Sequence, residues 1–235
     1  MRGRLVETPA LVVRLVDRGE ADRLITLLTE RTGLVSVSAR GVRKGSKRYG
    51  GVLEPMHRLV ITLEHPEREI ARLEEARVDA MRLRITENLE ASLAAGYWLR
   101  FARVLAHPHG DDHALFRVLD GVLELLEGQP TSAGNLEHLV PFAMLAAVGY
   151  AIELESCISC GKPCPPERPS GVDGRRGGLL CRACGYASTV LTAAHREVLR
   201  EAQRGVFLEV TGDDRALLAR LAQDVVVQHL GRSVR

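Results

Sequence analysis

The sequence predicts an α+β protein with a small N-terminal OB-type β-barrel, followed by an α-helical bundle with an inserted four-cysteine zinc module. Three observations support this. Apolar residues recur with a period of two up to about residue 78, and with helical spacing from about residue 80 onward. Proline and glycine crowd residues 155–188, which also contain two Cys-x-x-Cys pairs. The predicted domains are 1–79 for the barrel and 80–235 for the helices, with 155–188 as the insert.

The barrel is predicted from five short strands. They are expected at residues 10–16, 24–29, 34–39, 58–63 and 69–78. Gly19 and Gly33 fall in the first two connections, where turn residues are expected. So short a sheet must protect its edges, which favours a closed or nearly closed barrel. An OB-type barrel is the natural candidate, and such barrels commonly bind oligonucleotides.

The helical half is predicted from apolar spacing and from residues that can cap helices. Asp111 and Asp112 are candidate caps for the second predicted helix, and Asn135 for the third. The aromatic residues of this region are expected to pack in the core. The predicted helices are 82–106, 113–127, 136–154, 193–203 and 214–230.

The insert contains too few apolar residues to fold by hydrophobic burial alone. Cys157 and Cys160 form one pair and Cys181 and Cys184 the other, which predicts a tetrahedral four-cysteine zinc site. Because four protein ligands close the coordination shell, one structural Zn²⁺ is expected as the cofactor. Two disulfides or a redox-active pair are the competing interpretations. Cys164 is left over as a free thiol or an alternative ligand.

A basic segment, residues 39–51, lies between the third and fourth predicted strands. It has five cations, four glycines and no acidic residue. Such a segment is either a solvated turn or a loop that contacts a phosphate backbone. The predicted DNA-binding residues are six of this segment and two weaker candidates nearer the N-terminus: Arg40, Arg43, Lys44, Lys47, Arg48, Tyr49, Arg14 and Arg23.

Charge distribution favours a nucleic-acid partner. Residues 1–62 carry 12 Lys and Arg against 6 Asp and Glu, and the remainder carries 20 against 24. The chain shows no signal peptide or long apolar run, so a cytoplasmic protein is expected, without a membrane role. No catalytic residues are predicted. The spacing of Gly45 and Gly50 fits a P-loop, but Gly51 occupies the lysine position.

Several motifs, in order, resemble the RecO family of bacterial DNA repair proteins. They are Glu20-x-Asp22, Thr29-Glu30-x-x-Gly33, Ala39-Arg40-Gly41-Val42-Arg43, Leu53-Glu54-Pro55, Phe142-x-x-Leu145-x-x-x-Gly149 and the two cysteine pairs. The resemblance covers most of the chain. One departure is Ile152, in a stretch where the family often has proline.

This resemblance implies a mediator of recombinational repair and DNA recombination after DNA damage. It implies a non-enzymatic, nucleoid-associated protein that binds single- and double-stranded DNA and anneals complementary strands. RecR, and often RecF, would be partners in loading recombinase onto strands coated by single-strand DNA-binding protein (SSB). The alternative is a zinc-ribbon accessory factor of transcription or translation that binds RNA or a protein, and a weaker rival is a protein-interaction scaffold.

Overall fold

A computed structural model describes residues 5–20, 22–39, 51–185, 187 and 189–230, with residues 229 and 230 described by backbone alone. The chain divides into two units, Met1–Ala133 and Gly134–Arg235. The first unit includes three helices together with the N-terminal sheet, because α2 and α3 pack on its strands. The domain limits 1–79 and 80–235 follow from sequence periodicity and stay a prediction.

The N-terminal sheet is antiparallel, and its two edges meet. Its strands are β1 (Leu5–Arg18), β2 (Asp22–Thr29), β3 (Gly33–Ala39), β4 (Arg58–Glu64) and β5 (Arg72–Ala80). Their order in the sheet is β3-β2-β1-β4-β5. The outer strands β3 and β5 are joined by a parallel bridge between Val37 and Ala71. The Ala71 N–H donates to the Ser36 carbonyl at 2.8 Å, so neither edge is left open at this point.

The interior of this sheet is filled by the alternate residues that the period of two predicted. In β3 every second residue, from Gly33 to Ala39, is buried. Leu53, in the connection before β4, is also part of this core and is 2% exposed. The core comprises mainly aliphatic side chains: Ala10, Val12, Ile25, Leu27, Val35, Val37, Ala39, Leu53, Leu59, Ile61, Leu63, Ala71 and Leu73.

The helices of the first unit are α1 (Leu83–Glu87), α2 (Leu89–Leu105) and α3 (His113–Gly128). The single helix predicted for 82–106 is wrong. Asn88 has an extended backbone, and its side chain accepts the Ala91 N–H at 2.9 Å, which ends α1 and caps α2. Asp112 occupies the N-cap position of α3, as predicted, but its side chain bonds elsewhere. Its carboxylate accepts the His107 N–H at 3.0 Å and, within the described residues, accepts no N–H of the first turn of α3.

A buried arginine links the sheet to α3. Arg82 is fully buried, and its guanidinium donates to the Met56 carbonyl at 2.9 Å and to the Asp120 carboxylate at 2.5 Å. The Arg82 N–H donates to Nδ1 of His57 at 3.1 Å, so this nitrogen carries no proton. The chain after β5 is therefore fixed by polar contacts as well as by apolar packing.

The second unit contains α5 (Val140–Ala147), α6 (Ala193–Gln203) and α7 (Gly212–Leu230), and the short α4 (Ala133–Leu136) begins at the boundary. The helix predicted for 136–154 is wrong. Pro141 lies in the first turn of α5, and Gly149 has a φ of 86°, so the helix ends early. Asn135 instead accepts the Val210 N–H and donates to the Leu208 carbonyl.

A four-stranded sheet within the second unit spans the predicted insert, 155–188, and its flanking residues. Its strands are β6 (Glu153–Cys157), β7 (Ser170–Asp173), β8 (Gly178–Leu180) and β9 (Thr189–Leu191), in the order β6-β8-β7-β9. The helix α6 follows directly after β9. Across the described residues of both units, each helix is too short or too polar to cross a membrane.

Candidate metal centre and nucleic-acid surface

The two cysteine pairs meet because they follow neighbouring strands that run in the same direction. β6 ends at Cys157 and pairs in parallel with β8, which ends one residue before Cys181. Parallel strands deliver their ends to the same edge of a sheet. Gly178 permits the close pairing, since a Cβ there would lie 2.4 Å from Cγ2 of Ile158 and 2.9 Å from Cβ of Glu153.

Each pair lies on a tight turn. In the first turn, the Cys157 N–H donates to the Lys162 carbonyl and the Gly161 N–H donates to the Cys157 carbonyl, at 2.9 and 2.8 Å. Gly161 has a φ of 71°, a conformation that favours glycine. In the second turn, the Cys184 N–H donates to the Cys181 carbonyl at 3.0 Å. Both turns bring their two thiols to one side.

The four thiols form one cluster that can hold a metal ion. The Sγ atoms of Cys157, Cys160, Cys181 and Cys184 all lie within 4.8 Å of one another. The closest approach that we describe is 3.7 Å, between Cys160 and Cys181. The structure thus brings together all four predicted ligands. An all-sulfur donor set suits a soft or borderline metal ion.

The electrostatics of the cluster also fit a cation. Backbone N–H groups, chiefly those of Cys181 and Ser159, lower the pKa of the Cys157 thiol to about 6. The neighbouring thiols of Cys160 and Cys181 raise the pKa of Cys184 to about 12. Four crowded sulfurs therefore cannot all be thiolates at neutral pH unless a positive charge lies among them.

Glu153 orders the chain just before the first ligand. Its carboxylate accepts the N–H groups of Glu155 and Ser156 at 2.7 and 2.9 Å. These two hydrogen bonds lower the pKa of Glu153, because they favour the charged form. The backbone of the two residues before Cys157 is thus held by the side chain of Glu153, at the start of the same strand.

Arg196 attaches the metal-site segment to α6. It is fully buried, and its guanidinium donates to the carbonyls of Leu154, Cys164 and Pro165 at 2.5, 2.7 and 2.6 Å. A longer contact of 3.4 Å reaches the carbonyl of Arg168. These carbonyls belong to β6 and to the loop after the first cysteine turn. One side chain therefore fixes both sides of that turn.

Cys164 lies near the cluster but is not one of its four members. Burial, with a contribution from Cys157, raises the pKa of its thiol, so Cys164 favours the neutral form. Its backbone has a structural role, since its N–H donates to Glu155 and its carbonyl accepts from Arg196. The alternative of Cys164 as a ligand gains no support from this arrangement.

Most of the predicted DNA-binding residues lie outside the described residues. Arg40, Arg43, Lys44, Lys47, Arg48 and Tyr49 fall within 40–50. The flanking residues show where this segment joins the fold. Ala39 is the buried end of β3, and Leu53 is anchored in the core shortly after the chain is described again. The basic segment therefore connects β3 to β4 at one end of the sheet.

The structure places Arg14 and Arg23 on different faces of the sheet. Arg14 is exposed on β1 opposite Thr26, on the outer face. Arg23 is opposite Ala39, so it lies where the basic segment leaves β3. Its guanidinium contacts the carboxylates of Asp17 at 2.9 Å and Glu54 at 3.7 Å. Both carboxylates thus engage Arg23, whereas Arg14 forms no ion pair with another described residue.

Sequence reasoning missed Arg196 and Glu153, which organise the metal site. Arg196 did leave a signal, because it falls on the same helical side as Leu199 and Ala202, which are buried. An arginine within an apolar stripe indicates a buried partner. Glu153 left no signal, since its role depends on the turn that follows it.

Matches to known proteins extend over nearly the whole chain. The family model described as "Recombination protein O N terminal" matches residues 1–81, and "Recombination protein O C terminal" matches 86–235. A Myxococcus xanthus protein named DNA repair protein RecO is 32% identical over 232 residues, covering 96% of this chain and 93% of the relative. A relative of that name from Anaeromyxobacter sp. (strain Fw109-5) is 35% identical over 179 residues, covering 76% and 70%. Another, from Geobacter sulfurreducens, is 31% identical over 188 residues, covering 80% and 76%.

Proposed function

The chain belongs to the recombination protein O (RecO) family of DNA repair proteins, and on this premise we propose that it is a DNA-binding mediator of recombination. It binds single- and double-stranded DNA mainly through phosphates, anneals complementary strands and acts without catalysing a reaction of its own. The observation that carries this proposal is the position of the basic segment between β3 and β4, on a sheet whose edges meet.

Strand order supports an OB-type barrel as the scaffold. β1 pairs with both β2 and β4, and the Val37–Ala71 bridge between β3 and β5 is parallel. This is the connectivity of a five-stranded Greek-key barrel, in which loops and one sheet face bind oligonucleotides. The loop between β3 and β4 is then one of the connections available to DNA.

The composition of the barrel favours phosphate contacts over base stacking. Proteins that grip single strands usually stack bases on aromatic side chains. Residues 1–79 contain one aromatic residue, Tyr49, and it lies in the basic segment. Affinity must then come chiefly from the five cations Arg40, Arg43, Lys44, Lys47 and Arg48. Binding of this kind depends weakly on sequence and strongly on salt.

We assign the metal as one Zn²⁺, held by Cys157, Cys160, Cys181 and Cys184. Tetrahedral zinc–thiolate bonds of about 2.3 Å place sulfurs roughly 3.8 Å apart, close to the 3.7 Å between Cys160 and Cys181. With four protein ligands the ion supports the fold of the insert and leaves no position for substrate. Metal analysis of the purified protein should give one zinc per chain. Stoichiometric iron, or no metal, would contradict the assignment.

Strand annealing follows if the protein neutralises two DNA strands together and so reduces their mutual repulsion. The test is to mix complementary oligonucleotides with the protein, without nucleotide cofactor, and to follow duplex formation by fluorescence quenching. We expect annealing faster than for DNA alone, and a loss of that acceleration in Arg40→Glu/Arg43→Glu. No acceleration at any protein concentration would refute the annealing proposal.

The proposed partners are RecR, with RecF as a further candidate, and SSB, which would place the protein at the nucleoid. The test is recombinase loading onto SSB-coated single strands, with and without RecR. Stimulation that requires both proteins supports the mediator role. Equal loading without this protein would contradict it. A side-by-side comparison of DNA and RNA binding separates this role from that of an RNA-binding accessory factor, for which RNA would be preferred.

A further inference from the structure

The turn between β7 and β8 presents two consecutive arginines, Arg175 and Arg176, to solvent. Arg220 of α7 is also exposed, and Arg175 and Arg220 line one open depression of about 550 Å³. Among the described residues, none of these three guanidiniums has an ion-pair partner. We refer to Arg175, Arg176 and Arg220 as the arginine corner.

The backbone of this turn is held in place, although its arginines face solvent. The Oδ1 atom of Asp173 accepts the N–H groups of Arg175 and Arg176 at 3.1 and 3.2 Å, as aspartate commonly does in turns. Gly174 packs closely on α7, where an added Cβ would lie 2.9 Å from the Cβ of Asp224. A ligand that binds the two arginines therefore does not have to order the chain that carries them.

The arginine corner keeps a positive charge in its surroundings. Of the described residues, Asp173 and Asp224 are the acids that line the depression. Asp173 is engaged by the turn that it orders, and Asp224 is one carboxylate against three guanidiniums. The cysteine cluster, which is anionic when its thiols ionise, lies beyond the other end of β8, a strand about 10 Å long. An anionic ligand is therefore attracted to the corner.

Guanidinium chemistry indicates that this anion is a phosphate of nucleic acid. A guanidinium donates paired N–H groups that match a phosphate, and it stays charged at any physiological pH. An extended peptide would gain less, since β7 and β8 are each paired on both sides and offer no free strand edge. The rest of the depression offers the Thr189 side chain and several apolar ones, which suit the sugars and bases between phosphates: Val172, Val190, Leu217 and Leu221.

The basic segment and the arginine corner lie in different units, the segment in the first and the corner in the second. Annealing requires two strands, and the basic segment supplies cations for one of them. Resting on the proposed DNA-binding function, we propose that the arginine corner binds the phosphates of a second single strand while the basic segment holds the first. One chain then suffices to bring two strands together.

The test uses two non-complementary single strands of about 30 nucleotides, one with a donor and one with an acceptor fluorophore. Energy transfer then reports two strands on one particle. The full chain with its zinc is used at about 50 mM salt, where phosphate contacts are strong. The wild type should give energy transfer in particles that have the mass of one chain and two strands by sedimentation velocity. Arg175→Ala/Arg176→Ala should weaken binding of the second strand by about tenfold or more, and leave the affinity for the first strand, measured by anisotropy, within about twofold.

The matched control is Arg200→Ala/Arg204→Ala on α6, which removes the same charge from arginines that pair with Glu155 and Glu201. It should leave both affinities unchanged. Equal energy transfer in the two double variants, or none in the wild type despite binding of the first strand, would overturn the inference. So would loss of poly-glutamate binding with unchanged energy transfer, which would indicate an acidic protein partner. Failure of any strand to bind would instead contradict the proposed function itself, on which the inference rests.

Two substitutions at Asp173 separate the held turn from simple charge. Asp173→Asn and Asp173→Ala both remove one negative charge, but asparagine keeps an oxygen that accepts the two N–H groups. We expect Asp173→Asn to bind the second strand at least as tightly as the wild type does. Asp173→Ala should bind it several-fold more weakly than Asp173→Asn, because the turn is released. Equal second-strand affinity in these two variants would overturn the role of the turn.

Discussion

Replacing Arg196 by methionine tests how the metal-site segment is held in the fold. Methionine keeps much of the length and the apolar character of the stem but removes the guanidinium. In the protein that group donates three hydrogen bonds of 2.5–2.7 Å to the carbonyls of Leu154, Cys164 and Pro165. The substitution therefore frees both the strand that ends at Cys157 and the loop after the first cysteine turn.

The cost can be estimated from these contacts. A hydrogen bond to a charged group contributes about 1.5–3 kcal/mol, and a buried carbonyl left unpaired costs about 1–3 kcal/mol. Removing the guanidinium also removes its own desolvation cost, including that of the buried Nε, which lacks a partner among the described residues. We therefore expect a net loss of about 3–5 kcal/mol in the free energy of unfolding. For a unit of this size, that corresponds to a fall in Tm of about 15 °C or more.

The assay combines thermal unfolding, followed by circular dichroism, with metal release to a chromogenic chelator. Arg196→Met should have a lower Tm than the wild type and release metal faster. Arg196→Lys should have a Tm and a release rate between those of Arg196→Met and the wild type, because one ammonium cannot reach all three carbonyls. Arg200→Met is the control. Arg200 contacts the exposed Glu155 at 2.8 Å from the next turn of α6, and its loss should cost less than about 1 kcal/mol. If Arg196→Met matched Arg200→Met in Tm and metal release, the reasoning would be refuted.

Two other substitutions have defined outcomes. Burial, and then the charge of Arg82, lower the pKa of His57 below its ordinary value of 6.5. Neutral His57 therefore contributes fully to the stability of the fold above pH 6.5, and this contribution declines as the pH falls below 6.5. His57→Asn, which keeps an acceptor for the Arg82 N–H, should flatten the change in urea midpoint between pH 6.5 and 5, and an unchanged slope would contradict this. Gly178→Ala should cost about 1–3 kcal/mol and weaken metal binding, because its Cβ would lie 2.4 Å from Ile158. The control is Gly121→Ala, on the open surface of α3, which should leave the free energy of unfolding unchanged or raise it. Equal metal affinity in Gly178→Ala and Gly121→Ala would count against the role of Gly178.

The parts of the fold that sequence predicted well are those set by local periodicity. All five strands of the first sheet appear, four of them within three residues of their predicted limits, while β1 begins five residues earlier than predicted. β3 and β4 alternate between core and outer face, whereas residues 10–13 of β1 are buried in succession. The helices at 193–203 and 113–128 likewise follow their apolar spacing. The four cysteines were predicted as one cluster because their chemistry requires it, and the structure brings them together.

The errors came where a polar side chain has more than one possible partner. Asn88 ends a helix that apolar spacing alone would continue, because its amide oxygen is well placed to cap α2. Asn135 and Asp112 can cap helices, but the Asn135 side chain accepts the N–H of the distant Val210, and Asp112 accepts the N–H of His107, five residues earlier. The contacts of Arg196 could not be predicted, since its acceptors are backbone carbonyls and these carry no sequence signature.

The salt dependence of DNA binding tests the central claim most directly. If the five cations of residues 40–50 each neutralise one phosphate, log Kobs should fall with log salt at a slope of about −3.5 for single strands and about −4.5 for duplexes. Arg40→Glu/Arg43→Glu should make the slope for single strands shallower by about 1.4 or more, and weaken binding to all sequences alike. Arg200→Glu, outside that segment, should leave the slope unchanged. A binding constant that barely changes with salt would contradict the account. So would a slope for Arg40→Glu/Arg43→Glu that equals the slope for Arg200→Glu.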